Sequence, residues 1–368
     1  MRLLRLSLTG FRNYESFSCD FAPGVNLILG QNAQGKTNLL EAIGYLSAGY
    51  AFRTRKEAEL IRFGADYAEL SAQVYSYDRA QSLRAVLFAG RRPRQLFLNE
   101  VKRSSWEDLG GVLHTVLFCP EDLLVLKKGA AERRRLLNDA LCQLRPRYAQ
   151  ALEEYGRLYR QKSAVLKDRY ERPDLLQVLP EYNERMAQTG AIIVSLRARY
   201  LRALEQAAKE HHAAFTGGKE EISLSYHTVS TVEDPFAPPS ELYGRLREHQ
   251  RTHEHAELES AQCLSGPHKD DFEVLLSGLS VKTYGSQGQT RTAAISLKLA
   301  ERDLMARDTG ELPVLLLDDV LSELDAGRQD FLVNRIREGQ VFITSCNTEV
   351  FNDVGKIVRI EAGREIEN

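Results

Sequence analysis

The sequence predicts an α/β fold interrupted by a helical insertion, and three observations carry that prediction. The apolar strand Val25–Leu29 runs into a glycine loop that opens a helix near Lys36. A second apolar strand, Val314–Leu317, ends on Asp318-Asp319, and between these α/β stretches the texture turns helical. At 368 residues there is room for about two domains, each burying its own core. Hydrophobic residues at 43% and charged residues at 27% are ordinary for a folded soluble chain and argue against disorder.

Antiparallel strands are expected ahead of and beside the α/β core. Leu4, Leu6 and Leu8 alternate with Arg5 and Ser7, and Phe17–Phe21 follows. Leu70–Tyr75, Leu83–Phe88 and Leu96–Leu98 are strand-like, with Asn99-Glu100 turning a hairpin into Val101. After Phe118-Cys119-Pro120, Tyr148, Leu152, Tyr155, Tyr159 and Leu166 recur mostly at helical spacing. Tyr182, Met186, Ile193, Leu196, Tyr200, Leu204 and Ala207 make a second stripe, joined to the first through Arg172 to Pro180, so an antiparallel helical hairpin is expected. A helix of about thirty residues spans about 45 Å, which makes this a short arm rather than a long coiled coil. The polar stretch His249–Glu259 then leads to strand-like Phe272–Leu276 and Leu279–Lys282, a helix from Ser286 to about Arg307, and a strand at Val341–Thr344. The expected division is one α/β domain from 1–118 and 264–368, with 119–263 as the inserted helical arm.

Composition removes several classes of function. The longest apolar runs fall far short of the roughly twenty residues a membrane span needs, and the amino terminus alternates like a strand, so a cytoplasmic location is expected. Five scattered cysteines, Cys19, Cys119, Cys142, Cys263 and Cys346, form no zinc pattern and read as free thiols. A net charge of −2 gives no global attraction to nucleic acid, so DNA binding has to come from local clusters.

The glycine loop carries the chemistry. Gly30-Gln31-Asn32-Ala33-Gln34-Gly35-Lys36-Thr37, followed by Asn38, has the Gly-x-x-x-x-Gly-Lys-Thr spacing in which backbone amides and a helix N-terminus hold phosphates. Lys36 would meet the β- and γ-phosphates of ATP, and the Thr37 hydroxyl would reach Mg²⁺. Asp318, at the end of its apolar strand, stands where the Mg²⁺-holding carboxylate of such a site belongs, and Asp319 beside it could orient an attacking water. Ser286-Gln287-Gly288-Gln289 at a helix start offers a hydroxyl, close backbone approach and exposed amides; alone such a tetrapeptide is more often an ordinary helix cap. The order of these motifs, ending in Ser322-Glu323-Leu324-Asp325, makes the turn a second phosphate-binding surface.

Together with Leu8-Thr9-Gly10-Phe11-Arg12-Asn13-Tyr14, Phe52-Arg53-Thr54 and Gly266-Pro267-His268-Lys269-Asp270-Asp271, these motifs make nearly the whole chain resemble the RecF family of bacterial DNA-repair ATPases, relatives of SMC-type heads. The resemblance implies an ABC-type ATPase head in which ATP is sandwiched between the P-loop of one subunit and the Ser286–Gln289 signature of another. Asp325 would help couple the two sites of an ATP-dependent homodimer. It also implies duplex DNA and ss/dsDNA junctions as ligands, RecR as partner, and, with RecO, the loading of RecA recombinase. Asp319 stands where a glutamate is usual, which fits slow turnover. No loop glutamine is evident near Phe118–Asp122, and Ser345 or Cys346 occupies the place of the usual switch histidine.

Other residues stay open at this level. Arg53 or Arg55 could reach phosphate or lie in a solvated loop, and His268–Asp271 could hold a metal or form a polar turn. Two basic clusters, Arg91, Arg92 and Arg94 with Lys102 and Arg103, and Lys127 and Lys128 with Arg133, Arg134 and Arg135, could contact DNA backbone without sequence readout or be solvated faces. An SMC-type chromosome ATPase would carry far longer coiled coils than this arm, and an ABC transporter subunit would need membrane partners.

Overall fold

The computed structural model describes residues 1–54, 56–109, 111–346 and 355–366, and divides them into two compact units, Met1–Leu124 with Ala294–Asn368, and Val125–Ala293. The first unit opens with β1 (Arg2–Phe11), β2 (Tyr14–Asp20), β3 (Val25–Leu29) and α1 (Lys36–Ala48). It continues through β4 (Tyr67–Ser76), β5 (Arg79–Phe88), β6 (Gln95–Leu98), β7 (Val101–Arg103) and β8 (Thr115–Phe118). The second unit holds α2 (Ala130–Leu144), α3 (Pro146–Lys167), α4 (Leu179–Thr216), β9 (Ile222–His227), α5 (Pro239–Ser260), β10 (Asp271–Leu276), β11 (Leu279–Ser280) and α6 (Val281–Tyr284). Helix α7 (Gln287–Thr309) carries the chain back to β12 (Val314–Leu317), α8 (Ala326–Arg335), β13 (Val341–Ser345), β14 (Lys356–Glu361) and β15 (Arg364–Ile366).

Two six-stranded sheets build the first unit. The antiparallel sheet, ordered β2-β1-β4-β5-β6-β7, alternates buried and exposed positions, as the period-two pattern of Leu6, Leu8 and Leu70 requires. The other is ordered β15-β14-β3-β13-β12-β8, parallel except for the hairpin strand β15. An interior place in it, between β13 and β8, explains the unbroken apolar run of β12, all four of whose residues are buried; a parallel strand covered on both faces has no solvent side to make polar. Leu39, Leu40 and Ile43 of α1 join Leu3, Leu6, Leu70, Leu316 and Phe342 in one core. Among the described residues no helix is long and apolar enough to cross a membrane.

In the second unit α3 and α4 pair antiparallel, since Tyr148 near the start of α3 meets Arg197 deep in α4 while Glu154 meets Arg185. At 38 residues, α4 spans about 57 Å and exceeds the expected helix length, whereas α3 has 22. The polar stretch His249–Glu259 is the second half of α5, a helix the apolar pattern conceals because only Leu242, Leu246, His249, Gln250 and Glu257 are buried. The boundary expected at 263 moves to 293, because β10 pairs along its length with β9 in a three-stranded sheet of the second unit.

The turn His268–Asp271 is a structural node, not a metal site. Arg197 donates to Asp270 Oδ2 at 3.0 Å, to the Tyr148 hydroxyl at 2.9 Å and to Pro267 O at 2.8 Å, and Tyr226 donates to the same carboxylate. No metal-holding cluster of His, Cys, Asp and Glu exists among the described residues. His268 donates from Nε2 to Cys263 O at 2.9 Å, which leaves Nδ1 to accept the Tyr155 hydroxyl at 2.7 Å and fixes the neutral tautomer.

Burial pushes the His268 imidazole from its ordinary 6.5 down to about 4. The unfolded chain therefore takes up this proton first, so the contribution to stability is complete above about pH 6.5 and is lost as the pH falls towards 4. Denaturant titrations between pH 7 and pH 4 should show the wild type losing up to about 3 kcal/mol more than His268→Gln. Equal losses in the two proteins would remove this titration from the acid response.

Candidate nucleotide-binding site

The glycine loop leaves the carboxyl end of β3 and re-enters as α1. Gly35, with φ +119°, takes a conformation that L side chains rarely adopt, and a Cβ there would stand 2.6 Å from Asn13 Nδ2. At Gly30 a Cβ would lie 2.4 Å from Ile360 O, so β14 and the loop approach backbone to backbone. The loop is clamped from outside: Asn13 donates to Gln34 O at 2.8 Å, the Tyr14 hydroxyl to Gly35 O at 2.9 Å, and Ala362 N to Gln34 Oε1 at 2.6 Å. Gln34 thus faces the β14–β15 turn as a support. Its neighbours Asn32, Ala33, Gly35, Lys36, Thr37 and Asn38 line a cleft of about 930 Å³.

Lys36 is buried, and its ammonium donates to Gly30 O at 2.8 Å and to Gln31 O at 3.2 Å, so loop carbonyls aim the positive charge. Cys346 Sγ, just past β13, lies 3.4 Å from the same ammonium and 3.2 Å from Asn32 Oδ1. Helix α1 begins with no side-chain cap and no acidic residue in its first turn, leaving its first amides and dipole facing the loop. Arg53 and Asp319 belong to the cleft lining, and Arg53 donates to Asn38 Oδ1 at 3.1 Å. Arg55 lies outside the described residues.

Thr37 Oγ1 donates to Asp318 Oδ1 at 2.9 Å, and Thr344 Oγ1 donates to that oxygen at the same distance. Thr344 also accepts the Asp319 amide at 2.8 Å, holding Asp319 at φ +49°, a left-handed conformation that is costly for a residue with a Cβ. Burial pushes the Asp318 carboxyl up, while the two threonine hydrogen bonds pull the other way. Sequence reasoning missed Thr344, because Phe-Ile-Thr-Ser carries no motif and its role exists only once β13 lies between β3 and β12. It also left Arg12 unassigned: this cleft residue is held bidentate by buried Glu41 at 2.8 and 3.0 Å.

In the second unit, Ser286 and Gln289 form a reciprocal capping box at the start of α7. Gln289 N donates to Ser286 Oγ at 3.2 Å and Ser286 N to Gln289 Oε1 at 2.9 Å. The two amides between them, of Gln287 and Gly288, are first-turn groups that helix geometry leaves without an intrahelical partner. Ser286 and Gln287 are exposed. Lys127 donates to Gly285 O at 2.7 Å and to Lys282 O at 3.1 Å, bracing the turn. Asp325 caps α8, accepting Arg328 N at 3.0 Å and pairing with its guanidinium.

The basic clusters divide. Arg133 is buried, with its guanidinium bidentate on Asp271 at 2.7 Å, so its expected DNA contact is withdrawn. Arg134 donates to Asp270 O, and Arg135 pairs with Glu132 at 3.5 Å. Arg94 pairs with Glu57 and Arg103 is half-buried, whereas Arg91, Arg92 and Lys102 are exposed, Arg92 over the Phe88 ring. Lys128 is half-buried.

The RecF/RecN/SMC N terminal domain family matches residues 2–367. The DNA replication and repair protein RecF of Acetivibrio thermocellus is 36% identical over 368 residues, covering 99% of each chain, and that of Bacillus subtilis strain 168 is 38% identical over 360 residues, covering 95% of this chain and 94% of its own. The chain belongs to the RecF family. Two solved structures of the recombination mediator protein RecF in the RecFOR pathway cover 99% of it, with ATPrS at TM-score 0.90 and 30% identity and with ATP at 0.88 and 32%. An Smc head, at TM-score 0.55 and 17% identity, shares the fold alone. The RecF family is an ABC-like ATPase family, and the α/β head with added antiparallel strands is its fold.

Two substitutions separate the parts of this site. Lys36→Ala should abolish ATP binding measured by calorimetry. Thr344→Val removes the hydrogen bond to the Asp318 carboxylate and should slow ATP hydrolysis on the order of tenfold or more, while Thr344→Ser keeps the hydroxyl and the rate. Equal turnover in Thr344→Val and the wild type would deny Thr344 this positioning role.

Proposed function

We propose that this chain is an ATP-switched DNA-binding protein of recombinational repair and replication restart. The observation that carries the reading is the division of the two phosphate-facing surfaces. The P-loop cleft is lined by residues drawn from between Arg12 and Phe63 and by Asp319, all of the first unit, while the Ser286–Gln289 turn, with Ser286 and Gln287 exposed, belongs to the second. ATP held on the P-loop of one copy would be covered by the Ser286 hydroxyl and the Gln287 and Gly288 amides of another, so nucleotide binding and homodimerisation become one event.

Thr37 and Asp318 present hard oxygen donors 2.9 Å apart, a set that suits Mg²⁺, which when bound neutralises β- and γ-phosphate charge. Lys36 stabilises the same phosphates. Asp319, fixed by Thr344, orients water towards the γ-phosphate; its side chain is one methylene shorter than a glutamate, which makes hydrolysis slow and suits a release step. The assembled dimer holds duplex DNA or ss/dsDNA junctions at gaps through backbone contacts. There it helps RecR, with RecO, to load RecA recombinase. The names of the RecF relatives and the ATP-bound RecF structures support this assignment.

Light-scattering mass measurements should give a dimer with a non-hydrolysable ATP analogue and a monomer with ADP. Ser286→Arg should bind nucleotide and remain monomeric; a wild type that is monomeric under every condition would sink the sandwich. Replacing exposed Arg91, Arg92 and Lys102 by Ala should weaken duplex binding and flatten its log–log salt dependence by about 0.9 for each phosphate no longer neutralised. Unchanged affinity at low salt would remove this face from the DNA surface.

A further inference from the structure

The Ser286–Gln289 turn is gripped by a carboxylate that belongs to no motif. Glu220, 69 residues before Gln289 in the chain, accepts from Gln289 Nε2 at 2.6 Å. At the other end of the same amide, Gln289 Oε1 accepts the Ser286 N–H at 2.9 Å, while Gln289 N closes the capping box on Ser286 Oγ at 3.2 Å. The side-chain amide can serve the cap only one way round. Its oxygen must face the Ser286 N–H, so its NH₂ group points away and needs an acceptor there. Glu220 is that acceptor, and its charge makes the hydrogen bond stronger than a neutral pair would give.

Glu220 is itself held where it stands. Helix α4 ends on Gly217 and Gly218, at φ +63° and +75°, and Gly218 N donates back to Ala213 O at 2.9 Å. On the other side of Glu220, Ser277 N donates to Glu221 O at 2.7 Å as β9 begins. The half-buried side chain lies between Gln289 and His212, whose Nε2 is 3.5 Å from the carboxylate. Burial holds the His212 imidazole below its ordinary value against the pull of Glu220. At neutral pH the imidazole is therefore uncharged, and the carboxylate directs its charge to Gln289.

We infer that Glu220 is a positioning residue of this turn: by orienting the Gln289 amide it holds the cap closed, and so fixes the Ser286 hydroxyl and the Gln287 and Gly288 amides for the phosphates carried by a second copy. This rests on the ATP-sandwich reading and adds to it the residue that sets the second half of the site. Lys127 braces the chain ahead of the turn, at Gly285, whereas Glu220 acts on the cap itself.

Two measurements on the full chain test it. Amide hydrogen exchange in the nucleotide-free protein reads the cap directly: Glu220→Ala should speed exchange of the Ser286 N–H roughly tenfold, and Glu220→Gln, which keeps an accepting oxygen, should stay near the wild-type rate. Sedimentation with Mg²⁺ and a non-hydrolysable ATP analogue reads the consequence. A two-fold dimer contains two such turns, so Glu220→Ala should weaken dimerisation roughly hundredfold, with Glu220→Gln close to wild type. In a Gln289→Ala background, Glu220→Ala should add no further loss, because the two residues act through one contact. Wild-type exchange or dimerisation in Glu220→Ala, a Glu220→Gln protein as weak as Glu220→Ala, or a full additional loss in the double variant would each overturn the positioning role. A wild type that stays monomeric while Glu220→Ala still speeds Ser286 exchange would instead defeat the sandwich reading and leave the hold of Glu220 on the cap standing.

Discussion

The site depends on one carboxylate shared by two threonines. Asp318 ends β12, Thr37 begins α1 after β3, and Thr344 lies in β13 between those two strands. Only a parallel sheet ordered β3-β13-β12 brings the three together, because each side chain leaves the carboxyl end of its own strand or the helix that follows it. The same order fixes Asp319, whose amide is tied to Thr344, and sets Cys346 beside Lys36. The all-buried apolar runs of β12 and β13 are the packing side of this arrangement, since a sheet covered on both faces confines polar chemistry to the strand ends.

What was legible in the sequence is what local chemistry demands. The P-loop is readable because phosphate binding needs its glycines, lysine and threonine at fixed spacing, and Asp318 because a carboxylate ending a wholly apolar strand needs a cation or hydrogen-bond donors to receive it. Thr344 was not legible, since its function is conferred by a strand neighbour that no local pattern names.

The arm shows where charge misleads. Lys127-Lys128 and Arg133-Arg134-Arg135 look like a solvated basic face, yet Arg133 is among the buried residues because Asp271, 138 residues away, neutralises it bidentately. Burying an arginine is tolerable only with such pairing, and Arg197 is likewise neutralised by Asp270, through a single contact at 3.0 Å with Tyr148, Pro267 O and Asn138 taking its other donors. Adjacent aspartates in Gly-Pro-His-Lys-Asp-Asp are therefore partners for two helices, Asp271 for α2 and Asp270 for α4. The polar character of α5 hid a helix for a related reason, its buried face carrying His249, Gln250 and Glu257 in place of an apolar stripe.

The Ser286–Gln289 turn was readable either as a helix cap or as a phosphate surface, and the geometry makes the two compatible. The capping box uses the amides of Ser286 and Gln289, and it uses the Ser286 oxygen only as an acceptor. The Ser286 hydroxyl proton is thereby left to donate outward, with the Gln287 and Gly288 amides alongside and the positive end of a 23-residue helix behind them. Glu220 accepts from the Gln289 side-chain Nε2 and Lys127 braces Gly285, so the turn is preorganised before any phosphate arrives. A cap that loosened on binding would cost part of the affinity it offers; one that stays intact gives an incoming phosphate a rigid surface, which is what the proposed ATP-bridged dimer would need.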